Sequence, residues 1–133
     1  MGDTLIAILL YLSCSSGTSG VCYVEELKLT REAVAVATCE SGNTVDYGTI
    51  SWEARSNKQN GDGTFDYGAF QFNENTYLWL TGRTNAAVDS PVIQYEMFKL
   101  LWNNGKGWKH WNASKKCWSQ WLTINDEGRA LWR

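Results

Sequence analysis

The run Thr30-Arg31-Glu32-Ala33-Val34-Ala35-Val36-Ala37-Thr38-Cys39-Glu40-Ser41-Gly42 contains its own start and stop signals. Thr30 is a hydroxyl residue of the kind that caps a helix, and the alanines after it have the highest helix propensity of any residue. Apolar character on every side of Ala33–Ala37 predicts a helix buried on most faces. Gly42 is expected to supply the left-handed position that often follows a last turn. This places Glu40 at the C-terminal end of a buried helix. Unpaired carbonyls, the helix macrodipole and desolvation all disfavour its charge there, and so favour a protonated carboxyl. Two readings of Glu40 follow: a proton donor held ready near neutral pH, or an ordinary acid in a last helical turn. The helix alone does not choose between them.

Working toward the C-terminus, the pattern changes between Ile50 and Asn73. Phe65, Tyr67, Phe70 and Phe72 lie among small and polar residues, and Asn60-Gly61-Asp62-Gly63 is turn chemistry, which together predict a small β-hairpin or three-stranded wing. Asn60, Asp62 and Asp66 have the oxygen chemistry of a calcium loop. Phe65 stands where such a loop needs glycine and no Glu closes it, so turn formation is the better account. Ser90-Pro91 then pairs an N-cap with proline at the first helical position, predicting a helix over Val92 to Asn104 closed by Gly105. Trp108 to Trp121 reads as mixed helix and loop. The order is α+β and mostly helical.

The 133 residues fit one domain of ordinary size. A net charge of −2 without a Lys/Arg cluster excludes electrostatically driven nucleic-acid binding. Eight Trp, six Tyr and four Phe are more aromatic surface than a core this small needs, which points to rings lining a site for flat ligands such as sugars, with a Trp-rich core as the other reading of any single Trp. At the N-terminus, residues 1–20 divide into a hydrophobic signal-like or anchor-like run, Leu5 to Leu12, and a Ser/Thr/Gly tether from Ser15 to Gly20. The run is too short to span a bilayer, and Asp3 has the wrong sign for a signal n-region. A hydrophobic N-terminal helix is the other reading. Leu12-Ser13-Cys14 resembles a bacterial lipoprotein box, making Cys14 a candidate lipid anchor, with Tyr11 departing from the aliphatic pattern. Cys14, Cys22, Cys39 and Cys117 allow three pairings and do not have zinc spacing, so disulfides in an exported protein are expected.

Cys39-Glu40-Ser41-Gly42-Asn43 resembles the Glu-Ser signature closing the catalytic helix in soluble lytic transglycosylases, animal-type lysozymes and resuscitation-promoting factors. The last of these also place Cys before the catalytic Glu. The block from Asn60 to Asn73 is similar to the wing of c-type lysozymes, Asn-x-Asp-Gly-x-x-Asp-Tyr-Gly-x-x-Gln-x-Asn, and equally to a run in small transglycosylases. Trp108-x-x-Trp111 followed by Cys117 resembles a c-type Trp-x-x-Trp-x-x-x-Cys with two extra residues. The resemblance covers Thr30 to Tyr77 and reaches toward the C-terminus, and it implies a lysozyme-like fold for residues 21–133.

By that resemblance Glu40 takes the place of the general acid and Asp66 that of the second carboxylate. Val45 to Arg55 reads as an insertion between them, which leaves open whether Asp66 acts on the sugar or only accepts hydrogen bonds in the wing. Ser41, Asn60, Gln71, Asn73 and Tyr77 fall at glycan-contacting positions, with bonding to the wing backbone as the alternative for Gln71 and Asn73 and a core role as the alternative for Tyr77. Trp108 falls at the position that packs over the acid and desolvates it. A Cys39–Cys117 disulfide is implied as well. His110 reads as a packing residue. The resemblance implies peptidoglycan cleavage between N-acetylmuramic acid and N-acetylglucosamine by a monomer with no metal or cofactor. Its location would be the cell envelope, periplasm, extracellular space or a phage particle. The rivals are a catalytically silent module binding glycan or protein, and a small structural protein held by disulfides.

Overall fold

Thr30 caps the helix as its hydroxyl promises: its Oγ1 accepts from the Ala33 amide at 3.2 Å, and α1 runs Arg31–Ser41 with Ala33 to Thr38 buried. The computed structural model describes residues 6–14 and 20–133. α1 is the central element, and β2 (Cys22–Thr30) leads straight into it. β2 pairs antiparallel with β1 (Ile6–Cys14), in a register running from Ile6 opposite Thr30 to Cys14 opposite Cys22. Leu27 and Leu29 on β2 enter the core, with Leu9 and Tyr11 on β1 packed against it. Ile8, Leu10, Leu12 and Val24 stay exposed.

This hairpin corrects the expectation of an N-terminal helix, because the alternation of Leu9 and Tyr11 with outward neighbours has the two-residue period of a strand. Cys14, the candidate lipid anchor, is bonded to Cys22. Residues 1–5, and residues 15–19 of the expected tether, lie outside the described residues. No helix among the described residues is long and apolar enough to cross a membrane.

The wing forms as its turn residues predict. Asn60 accepts from Gly63 and donates to Thr64 through its backbone, and the Asp62 carboxylate accepts from both the amide and the hydroxyl of Thr64. β3 (Asp66–Tyr67) pairs with β4 (Phe72–Asn73), and a bridge from Arg55 to Tyr67 adds a third strand's contact. A buried amide holds the wing to the helices. Gln94 accepts from the Ala69 amide at 2.9 Å and donates to the carbonyls of Trp52 and Asp89 at 2.9 and 3.0 Å. Gly68 is required beside it: φ is +86°, and a Cβ would lie 2.4 Å from the Gln94 Oε1.

α2 (Glu74–Thr81) is followed by α3 (Pro91–Trp102), with Ser90 accepting from the Ile93 amide and Pro91 in the first turn. α3 stops at Trp102 because Asn103 takes the left-handed conformation, two residues before the expected Gly105. A 3-10 segment, Trp108–Ser114, leads into the short α4 (Lys115–Trp118) and then into a hairpin of β5 (Leu122–Ile124) and β6 (Ala130–Trp132). The result is α+β with three small antiparallel sheets among the described residues.

The aromatic surplus goes mostly inward, so of the two readings the packed core accounts for most of the rings. Phe70 stacks on Phe98 at 4.4 Å and Phe98 on Trp102 at 5.1 Å, with Trp111 and Trp118 buried beside them. In a chain this short, large rings fill a core that few side chains are available to fill.

Candidate active site

Glu40 sits at the last turn of α1 and faces a cleft of about 380 Å³, together with Asn60, Asp62 and Asp66 from the wing and Gln71 and Asn73 around β4. Leu101 of α3, Thr76 of α2, and His110, Trp111 and Ala113 of the 3-10 segment also line it. Five of the residues expected to act on or contact glycan, Glu40, Asn60, Asp66, Gln71 and Asn73, therefore meet in one cleft although they are spread from position 40 to position 73.

Burial raises the pKa of Glu40 from 4.5 to about 7, with the negative charge of Asp66 adding to the rise and a hydrogen bond from Ser114 opposing it. That bond is short: the Ser114 hydroxyl donates to Glu40 Oε2 at 2.5 Å. Near neutral pH a substantial share of Glu40 is protonated, as a proton donor must be. Asp66 is held differently. Its Oδ1 accepts from the amides of Asn60 at 3.0 Å and Asn73 at 3.3 Å, and its backbone amide donates to the Ser56 hydroxyl at 3.0 Å. One carboxyl is thus desolvated and the other is pinned by amides. Two carboxyls in such different surroundings can take different parts in proton-transfer chemistry.

Gln71 adopts φ +52°, unusual for a residue with a Cβ, and its amide donates to the Gly68 carbonyl at 3.0 Å. The tight turn from Gly68 to Gln71 presents this side chain to the cleft. Strained backbone of this kind persists where the surroundings over-determine it, and it clusters at functional sites.

Three expected residues lie elsewhere. Ser41 donates to the Ala37 carbonyl and accepts from the Ser51 amide, so it ties the following loop to α1 and does not line the cleft. Tyr77 is fully buried, its hydroxyl donating to Asp89, which also pairs with Arg83. A residue locked into that cluster is a core strut. Trp108 sends its indole N–H to the Gly128 carbonyl at 3.1 Å and lies under Lys115, holding the C-terminal hairpin. Trp111 lines the cleft in its place, with its N–H bonded to the Phe70 carbonyl at 2.9 Å. The turn after Gly107 decides which of the two rings faces inward, and the Trp-x-x-Trp spacing does not encode it.

Gly42 is also corrected. Its φ is −96°, not left-handed; glycine is needed because a Cβ would lie 2.0 Å from the Thr49 carbonyl oxygen. The segment read as an insertion closes back on α1 here, with the Gly48 amide donating to the Thr38 hydroxyl at 3.0 Å. His110, set aside as packing, lines the cleft, and Ser114, which belongs to the sequon-like Asn112-Ala113-Ser114, carried no sequence signal that ties it to Glu40.

The disulfide from Cys39 to Cys117 is present, with Cα atoms 5.8 Å apart, within the range a disulfide requires. Two disulfides suit an oxidising compartment. Among the described residues no cluster of His, Cys, Asp or Glu is gathered to hold a metal ion. Compared with known proteins, the chain matches no family model, no curated protein and no solved structure, so a functional reading stands on this geometry and on the blocks of sequence that compose it.

Proposed function

We propose that this protein cleaves peptidoglycan glycan strands at the β-1,4 bond between N-acetylmuramic acid and N-acetylglucosamine. The observation that carries the reading is the pairing in one cleft of a carboxyl raised to about 7, Glu40, with an amide-pinned carboxylate, Asp66. Glycoside cleavage needs a proton for the leaving oxygen, and a carboxylate beside the oxocarbenium-like centre stabilises the positive charge that develops there.

In this mechanism Glu40 protonates the glycosidic oxygen as the bond breaks. The resulting carboxylate then accepts a proton from the attacking oxygen. If water attacks, the product has a reducing end; if the muramic C6 hydroxyl attacks, an anhydro sugar forms and the enzyme is a lytic transglycosylase. Gln71 offers an amide to the substrate acetamido groups, and Leu101 is apolar surface for a sugar ring. Acid and base chemistry of this kind needs neither metal nor cofactor. The site of action is outside the cytoplasm, where the wall lies and disulfides persist.

The test is digestion of purified peptidoglycan by wild-type protein and by Glu40→Gln, with mass spectrometry of the released muropeptides. Wild type releases fragments, whose anhydro or reducing ends assign the second step. The reading fails if oxidised wild type releases none, or if Glu40→Gln retains more than about a tenth of the activity.

A further inference from the structure

Ser114 stands in an unusual position between two acceptors. Its Oγ lies 2.5 Å from Glu40 Oε2 and 3.2 Å from the Trp111 carbonyl oxygen, yet a hydroxyl has one proton and donates once. With Glu40 ionised, that proton belongs to the carboxylate, since a charge-assisted bond is the shorter and stronger of the two. With Glu40 protonated, the carboxyl becomes the donor, Ser114 Oγ accepts, and the hydroxyl proton turns to Trp111. The Trp111 carbonyl is never left without a partner, because the Trp118 indole N–H also donates to it at 3.0 Å. Rotation of one hydroxyl therefore keeps Ser114 Oγ, Glu40 Oε2 and the Trp111 carbonyl partnered in both states, which avoids the penalty of leaving one of them unpaired.

We propose that Ser114 is a positioning residue for Glu40, a rotating hydroxyl that holds the carboxyl in one orientation through both its acid and its base states. Ser114 transfers no proton to substrate: the proton delivered to the leaving oxygen departs from Glu40, and the Ser114 proton only changes acceptor. The geometry is enforced covalently on both sides. Cys39 precedes Glu40 on α1, Cys117 follows Ser114 by three residues, and the two are bonded. This role rests on the reading of Glu40 as acid and base.

The bond to Ser114 lowers the Glu40 pKa, opposing the larger effect of burial. The other ionisable groups facing the cleft are Asp62 and Asp66 on the wing and His110 on the 3-10 segment, while α2 and α3 contribute only Thr76 and Leu101. Substitution at Ser114 changes none of these.

The experiment is a carboxyl titration by NMR on protein with labelled Glu side chains, for wild type, Ser114→Ala and Ser114→Thr. It is run beside pH–rate profiles on a soluble oligosaccharide of alternating N-acetylglucosamine and N-acetylmuramic acid. Ser114→Ala is expected to raise the Glu40 pKa by about one pH unit and lower kcat about tenfold with KM unchanged, and Ser114→Thr to restore both. A Glu40 titration identical in wild type and Ser114→Ala overturns the proposal, as does failure of Ser114→Thr to restore it. If the titration shifts as expected but wild type does not cleave the oligosaccharide, the Ser114–Glu40 pairing stands and the glycan-cleavage reading falls.

Discussion

Cys39 and Cys117 are bonded across 78 residues of sequence, and the bond joins the last turn of α1 to the segment that supplies His110, Trp111 and Ala113 to the cleft and the Ser114 hydroxyl to Glu40. Closing so long a loop restricts the unfolded chain by about 4.5 kcal/mol in the chain-entropy model. The pair Cys39→Ser and Cys117→Ser is therefore expected to lower Tm by roughly 10 to 20 °C and to reduce activity even where the fold persists. Calorimetry beside a peptidoglycan assay checks this. An unchanged Tm would show that the unfolded chain is restricted by something else.

Glu40 lowers the stability of the fold at high pH. Its folded pKa, about 7, lies above the ordinary 4.5, so between these values the native state binds a proton that the unfolded state releases. Its contribution is intact below pH 4.5 and is lost as pH rises through 7. A shift of this size corresponds to about 3 kcal/mol. Glu40→Gln, while losing at least nine-tenths of the activity, is expected to be more stable than wild type at pH 8 by about 3 kcal/mol and equal to it at pH 4. Urea unfolding at the two pH values measures the difference; a variant less stable at pH 8 would contradict a desolvated carboxyl.

Removing the charge of Asp66 takes away one cause of the raised Glu40 pKa. In Asp66→Asn the basic limb of the pH–rate profile, set in wild type by Glu40 near pH 7, is expected to move to lower pH. The size of the rate loss then separates the two chemistries. A fall of about a hundredfold or more places Asp66 beside the oxocarbenium centre, and one within about tenfold leaves Glu40 working alone. A basic limb that stays in place would show that the two carboxyls do not interact.

Gln94 lines no part of the cleft but holds the wing that does. In Gln94→Leu the Ala69 amide and the carbonyls of Trp52 and Asp89 lose this partner inside the protein. A loss of about 3 kcal/mol is expected, with faster hydrogen exchange at Ala69 and weaker activity. Retention of full protection at Ala69 would mean that the turn is held from elsewhere.

Local chemistry was enough to read α1, the wing and α3, because each carries its signals in adjacent residues: Thr30 before alanines, Asn60 to Gly63 at a turn, Ser90 before Pro91. Glu40 was legible for the same reason, since its place at the end of a buried helix follows from the helix alone. The β1–β2 and β5–β6 hairpins were not. Ile6–Cys14 is apolar at nearly every position, and only packing of Leu9 and Tyr11 on the core separates one face of that strand from the other. The fate of the aromatics was equally hidden. Trp108 and Trp111 are three residues apart and chemically identical, and the path of the chain after Gly107 turns one toward the C-terminal hairpin and the other into the cleft. Ser114 meets Glu40 across 74 residues, a relationship no local pattern encodes, because it depends on a disulfide and a core that bring distant segments together.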